Sequence, residues 1–377
     1  MKRFITILLL LILHFSSGTL MLLAQEKNKL PLKDSLDGAL DLSYFLASVY
    51  GFIPFAMPVT EPALGYGVAG GPIFFHRDLE ALKRGDPAPP SLSFGGGMYT
   101  GNGSWALAAG HSGVWKNDRI RYLGAAIYGS FNLTYYPATR PFEFKFNLTT
   151  FSLVQQIAFR FGEIKLFGGL RYQYSGTKVE FQGNLDIPGI DPWEVKTDLG
   201  GLGPVLFLDY RDNSFTPNKG VFVKMGYSHF APWLGGDVTY NTTSIYGIWY
   251  THPLHWLVTG LRAEFQNSWG EIPFFAKPFV NLRGIPAMRF QDFYTLTFET
   301  EERFDLTSRW SLTAFAGLAK AFNPENSFHD YDWVYNYGAG FRYKLARLFG
   351  LYSGVDFAWG PDSWGFYITF GHAWNRL

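Results

Sequence analysis

Near its end the chain repeats every second residue. Tyr335, Tyr337, Ala339, Phe341, Tyr343 and Leu345 alternate with Asn336, Gly338, Gly340, Arg342 and Lys344. Trp364, Phe366, Ile368, Phe370 and Trp374 oppose Gly365, Tyr367, Thr369 and Ala373 in the same way. A period of two sorts side chains onto the two faces of a strand. Rings at both ends of the apolar face, Trp364 and Trp374, fit two membrane interfaces better than a soluble sandwich. Beyond residue 25 no run of ~18 apolar residues occurs, so a chain of this pattern crosses a membrane as strands or not at all. The 37 Phe, 22 Tyr, 12 Trp and 42 Gly suit such a wall, with aromatic girdles and small residues where its inner face is crowded. Charges nearly balance, 32 basic against 31 acidic, and nothing points to nucleic acid. The absence of Cys excludes disulfides, thiolate chemistry and Cys-ligated zinc.

The first residues have the layout of a signal peptide. Lys2 and Arg3 precede a nearly continuous apolar run from Ile5 to Leu13, and cleavage is expected near Ala24. The expected organisation is a signal peptide over 1–24, a periplasmic N-terminal segment over 25–49 and an outer-membrane β-barrel over 50–377. In the short segment Leu36, Leu40, Leu42, Phe45 and Leu46 recur near helical spacing, which predicts one short helix. Eleven strand-like segments lie between Gly51 and Asn267, and five more between Phe293 and Trp374. Gly51 to Val59 is the candidate first strand, although it holds Pro54 and Pro58, which disfavour a strand interior. Phe142 to Phe161 changes apolar phase at Thr149-Thr150, which predicts a bulge. Thr251-His252-Pro253 reads as a turn, and Ser175 to Leu199 as a loop. The sum is an all-β, 16-stranded antiparallel transmembrane barrel.

Between the two groups of strands runs a long loop, Ser268 to Asp292, carrying Leu282-Arg283-Gly284-Ile285. An arginine there needs a counter-charge, and the next segment offers Glu299 and Glu301. No catalytic constellation stands out. Ser228-His229 and His111-Ser112 are adjacent pairs, which point to opposite faces of a strand, and no Gly-x-Ser-x-Gly occurs. His111 with a serine on a neighbouring strand stays open. His252 and His255 flank a Pro turn and are read as surface residues rather than metal ligands. No cofactor or metal is expected, and Gly95-Gly96-Gly97 reads as wall packing because no helix follows it.

Asp209-Tyr210-Arg211-Asp212, followed by Thr216-Pro217-Asn218-Lys219-Gly220, resembles the D-x-R-D … P-x-x-G signature of the BamA and TamA type of outer-membrane protein, the bacterial surface antigens. Leu282-Arg283-Gly284-Ile285 resembles that family's hydrophobic-Arg-Gly-aromatic loop motif, with Ile285 in place of the aromatic. The resemblance covers roughly residues 50 to 377 and implies that the loop inserts into the lumen, where its arginine pairs with acidic wall residues. The family's F-x-D-x-G falls on Thr313-Ala314-Phe315-Ala316-Gly317, so Phe315 stands where the aspartate is usual. That leaves Glu299 and Glu301 as partners of Arg283, with Arg303 as a competitor; Asp209, Arg211, Asp212, Pro217 and Gly220 form the strand-end motif. The family's periplasmic repeats are missing, and the chain ends without an aromatic residue. The resemblance implies a non-enzymatic outer-membrane barrel of a Gram-negative bacterium, working in membrane biogenesis or in protein or lipid insertion or translocation. A passive or gated pore is the alternative, and a lipid-facing enzyme comes third. Expected partners are outer-membrane lipid and a separate periplasmic protein.

Overall fold

The computed structural model describes residues 32–48, 52–76, 89–136, 143–181, 195–323 and 325–374. The expected signal peptide lies outside the described residues. Helix α1 (Ser43–Ser48) precedes sixteen strands in one sheet, taken in chain order. The first eight are β1 (Phe52–Val59), β2 (Gly67–Phe75), β3 (Leu92–Thr100), β4 (Trp105–Trp115), β5 (Ile120–Tyr135), β6 (Phe144–Arg160), β7 (Leu166–Phe181) and β8 (Val195–Asp209). The second eight are β9 (Gly220–Phe230), β10 (Tyr240–Leu254), β11 (Leu257–Gly270), β12 (Tyr294–Asp305), β13 (Trp310–Phe322), β14 (Val334–Ala346), β15 (Leu351–Gly360) and β16 (Ser363–Phe370). Each pairs antiparallel with the next, and the sheet curls into a barrel whose β1 and β16 edges approach without a ladder among the described residues.

Alternation follows the pleat. On β12 Thr295, Thr297, Glu299, Glu301 and Arg303 are buried inward, whereas Phe298 on the opposite face is exposed. On β13 Trp310, Leu312 and Leu318 look outward, and Ser311, Thr313, Phe315 and Ala319 look in.

The prolines explain the open seam. Pro54 of β1 lies directly opposite Pro72 of β2. Neither has an N–H, so this pair cannot exchange hydrogen bonds, and the main chain at 54, 56 and 58 must face away from β2. That edge is the one turned toward β16. With Pro at 54 and 58, only Phe52 and Ala56 of the strand offer an N–H along it.

Four expectations need correction. The β5–β6 register is unbroken through Thr149 and Thr150, so there is no bulge. What changes along β6 is the face that is apolar. Below, Phe151, Ile157 and Phe159 face outward; above, Phe146 is fully buried inside with Val179 and Met288. The upper wall stands against the long loop, which supplies Met288, Phe274, Phe275 and Phe279 there. The expected loop 175–199 is strand at both ends, since β7 runs to Phe181 and β8 starts at Val195; the remainder lies outside the described residues. Strand β10 runs through His252 and Pro253 with a register irregularity, and the turn falls at His255-Trp256. Finally, Trp374 is not on the outer face. Strand β16 ends at Phe370, Gly371 takes φ +81°, and Trp374 is buried inside with Tyr246, Ile248, Tyr250 and Val258.

Candidate functional site

The lumen side of β11–β15 is strongly charged. Strand alternation sends Arg262 and Glu264 of β11, Glu299 and Glu301 of β12, Arg342 of β14 and Asp356 of β15 inward, all buried. Each isolated charge would be costly in a confined interior, so the arrangement is stable only as a network.

Arg283 enters this network from the loop. Its Nη1 donates to Glu301 Oε2 at 2.7 Å and to Asp356 Oδ2 at 2.8 Å. Its Nη2 and Nε donate to Glu299 Oε1 at 3.0 and 3.2 Å. Three carboxylates from two strands thus surround one guanidinium. Arg303 is not a competitor: its Nε donates to Asp305 at 2.8 Å and its Nη2 to Asn218 at 2.5 Å. Asp356 was not anticipated from sequence. It is also held by Arg342 at 2.6 and 2.9 Å. Its alternation with outward Phe357 on β15 was the available signal.

Phe315 takes a different part from the aspartate it replaces. The Arg283 guanidinium lies 3.4 Å from the centroid of the Phe315 ring, a cation–π contact on one face of a group whose edges are filled by carboxylates.

The rest of the motif fixes the loop. Gly284 has φ +84°, and a Cβ there would come within 3.0 Å of the Ala358 main chain. Its N–H donates to Tyr367 Oη at 2.7 Å, and its carbonyl accepts from Ser363 Oγ at 2.6 Å, both on β16. Leu282 and Ile285 are buried with Val280, Ala319 and Val334. Across the seam, Glu61 in the β1–β2 turn accepts the Ala287 N–H at 3.2 Å. The loop therefore touches both sides of the unpaired edge.

The strand-end motif closes the other mouth. Asp209 is clamped by Arg211 at 2.8 and 3.0 Å and by Arg121 of β5 at 2.8 Å. Asp212 Oδ1 accepts the Asn218 and Lys219 N–H groups at 3.0 and 3.2 Å, which folds the 212–219 turn back on itself. Gly220 has φ +111°, and any Cβ would meet the Tyr210 carbonyl at 2.2 Å. Pro217 is fully buried. The turn reaches across the lumen. Asn213 donates to the Phe349 carbonyl at 2.9 Å, and the Phe215 carbonyl accepts the His372 N–H at 2.7 Å.

Trp374 then joins the two ends of the network. Its Nε1 donates to Glu299 Oε2 at 2.6 Å, and its carbonyl accepts from Tyr246 Oη at 2.6 Å. Glu299 thus holds the loop, β11 through Arg262 at 3.0 Å, and the tail after β16.

At the same mouth the N-terminal segment is strapped under β12–β15. Arg309 donates to Asp34 at 2.5 Å, Asp37 at 2.6 Å and Asp41 at 2.5 Å, and Arg347 also donates to Asp34. Tyr343 Oη donates to the Leu40 carbonyl at 2.7 Å. The Arg347 hydrogen bond holds Asp34 down to about 2, and Arg309 lowers Asp37.

No protein-family model matches the sequence, and no curated protein sequence matches it. Solved structures do. BamA from Haemophilus ducreyi, solved without POTRA domains 1–3, is similar over 84% of this chain and 69% of that one, at 11% identity and a TM-score of 0.58. CdiB from Escherichia coli is similar over 84% of this chain and 61% of that one, at 11% identity and a TM-score of 0.57. The chain therefore spans under two thirds of CdiB. At this identity the likeness is one of fold.

Proposed function

We propose, for a chain with the fold of the BamA-type barrel, a role in outer-membrane biogenesis: protein or lipid passes into the bilayer, or across it, at the seam between β1 and β16. One observation carries this reading: Pro54 and Pro58 remove two of the four main-chain donors from the seam edge of β1. A closed porin wall has no use for such an edge, because every unpaired main-chain group in lipid is costly. The loop motif sits on Ser363 and Tyr367 of β16 and on the β1–β2 turn, so its docking favours the shut state. The lumen network is the latch of this gate and does no bond chemistry. Client and periplasmic partner enter as proteins of the same membrane pathway. The location is the outer membrane of a Gram-negative bacterium.

The test uses a lock. The chain has no Cys, so Thr60→Cys with Gly365→Cys places the only thiols at a point where a Cβ on residue 365 would lie 3.3 Å from the Thr60 carbonyl. Vesicles carrying the reduced protein should speed the folding of a small eight-stranded test barrel several-fold over empty vesicles, and oxidation should abolish the gain. Equal rates with and without the protein would overturn the reading.

A further inference from the structure

On the opposite side of the wall, strand pairing brings together three residues that the lumen network does not use. Ser93 of β3 lies directly across from His111 of β4. The Ser93 Oγ is 2.8 Å from His111 Nδ1 and 2.8 Å from Nε2 of His76, which follows β2. The two imidazole rings lie 5.4 Å apart. These side chains point outward: Leu107 and Trp115 share the His111 face of β4 and are exposed, whereas Ala106 on the other face is buried. His111 stacks on Trp115, and Trp115 stacks on Tyr122 of β5. This ring group stands beside the Lys116-Asn117-Asp118 turn, at the same end of the barrel as the N-terminal strap.

We propose that Ser93, His111 and His76 form a lipid-facing ester-hydrolysing site for glycerophospholipids. The chemistry follows from the geometry. A serine hydroxyl has one proton, so of two imidazoles at 2.8 Å one accepts it and the other donates an N–H to the same oxygen. His111, fixed by its stack, is the acceptor; His76, exposed at the rim, is the donor. Ser93 Oγ attacks the carbonyl carbon of an acyl ester while its proton passes to His111. The carbon–oxygen bond to glycerol breaks, and that oxygen takes the proton, leaving an acyl-serine and a lysophospholipid. Water from the interface then attacks the acyl-serine, gives its proton through His111 to Ser93 and releases a fatty acid. The His76 N–H is the donor beside the oxygens that carry charge in both steps. The substrate class follows from depth. Tyr and Trp girdles mark the headgroup level of a bilayer, and phospholipid ester bonds lie at that level. A hydrogen-bonded Ser–His pair facing outward there meets lipid esters and little else.

The full chain, folded into vesicles of phosphatidylethanolamine and phosphatidylglycerol, supplies both protein and substrate. Released fatty acid is read by mass spectrometry, and a fluorophosphonate probe reports the nucleophile as a covalent adduct. Wild type should release fatty acid and carry the adduct on Ser93. Ser93→Ala should lose both, and His111→Gln should slow both by roughly 100-fold. Ser112→Ala, on the inward face of the same strand, should match wild type. Heat-modifiable gel mobility checks that each variant is a folded barrel. A folded wild-type barrel that releases no fatty acid and leaves Ser93 unlabelled overturns the proposal, as does release that persists in Ser93→Ala.

Discussion

At the residue scale the decisive group is Arg283. Three buried carboxylates lose their shared partner if it is removed, and a buried charge left unpaired costs about 3–5 kcal/mol. Arg283→Ala should therefore lower the unfolding free energy read from a urea titration of the folded barrel by an amount in that range. Arg283→Lys should recover only part of it, because an ammonium cannot fill the Glu299, Glu301 and Asp356 directions as a planar fork does. Phe315→Asp tests the substitution that the sequence made visible. It removes a cation–π face and adds a fourth carboxylate around one guanidinium, so it should destabilise rather than repair. Glu299 and Glu301 were legible as counter-charges because they fall on the inward phase of the segment right after the loop. Asp356 was not, because it lies 73 residues from Arg283 on a strand whose place beside the loop depends on barrel closure. Ser93 escaped for a related reason. The sequence leaves open a serine on a strand beside His111 but does not say which one; register between strands selects Ser93.

At the element scale the N-terminal strap makes a pH prediction. The folded carboxyl of Asp34 sits near 2, below its ordinary range, because of Arg347, and Asp37 is lowered by Arg309. For Asp41 burial pushes upward, but hydrogen bonds from Ser43 and Arg309 outweigh it and the net shift is down. Folded values below unfolded ones mean that docking is fully supported above about pH 4 and lost as pH falls toward 2. A fluorophore on Ser35→Cys, an exposed position, should keep high anisotropy at pH 7 and 5 and lose it near pH 2. Arg309→Gln should show the low value already at pH 7. The short helix expected near residues 36–46 is helical only from 43, as α1, with a turn bridged by Lys33 and Leu40 before it, and the sixteen strands keep the order and number read from period two. Where the reading slipped, the cause was the neighbour across the lumen. On β6 the apolar face switches because the upper wall meets the loop, and after β16 Gly371 turns an apparent girdle tryptophan inward. Period two reports that a residue is on a given face; it does not report what that face meets.

At the scale of the whole molecule the interior is occupied from three directions: the long loop from one mouth, the 212–219 turn from the other, and the 371–374 tail from the wall itself. A sixteen-stranded wall left empty would hold a water-filled channel. Planar bilayers with wild type should therefore show no steady conductance, and Arg283→Ala should open frequent steps. A persistent open level in wild type would contradict the latch. Glu299 adds a matter of timing. It binds the loop, which precedes the last five strands, and Trp374, which follows all of them. Gly284 likewise waits for Ser363 and Tyr367 of β16. A wall still missing its final strand cannot lock its own interior, so closure of the loop marks completion of the barrel.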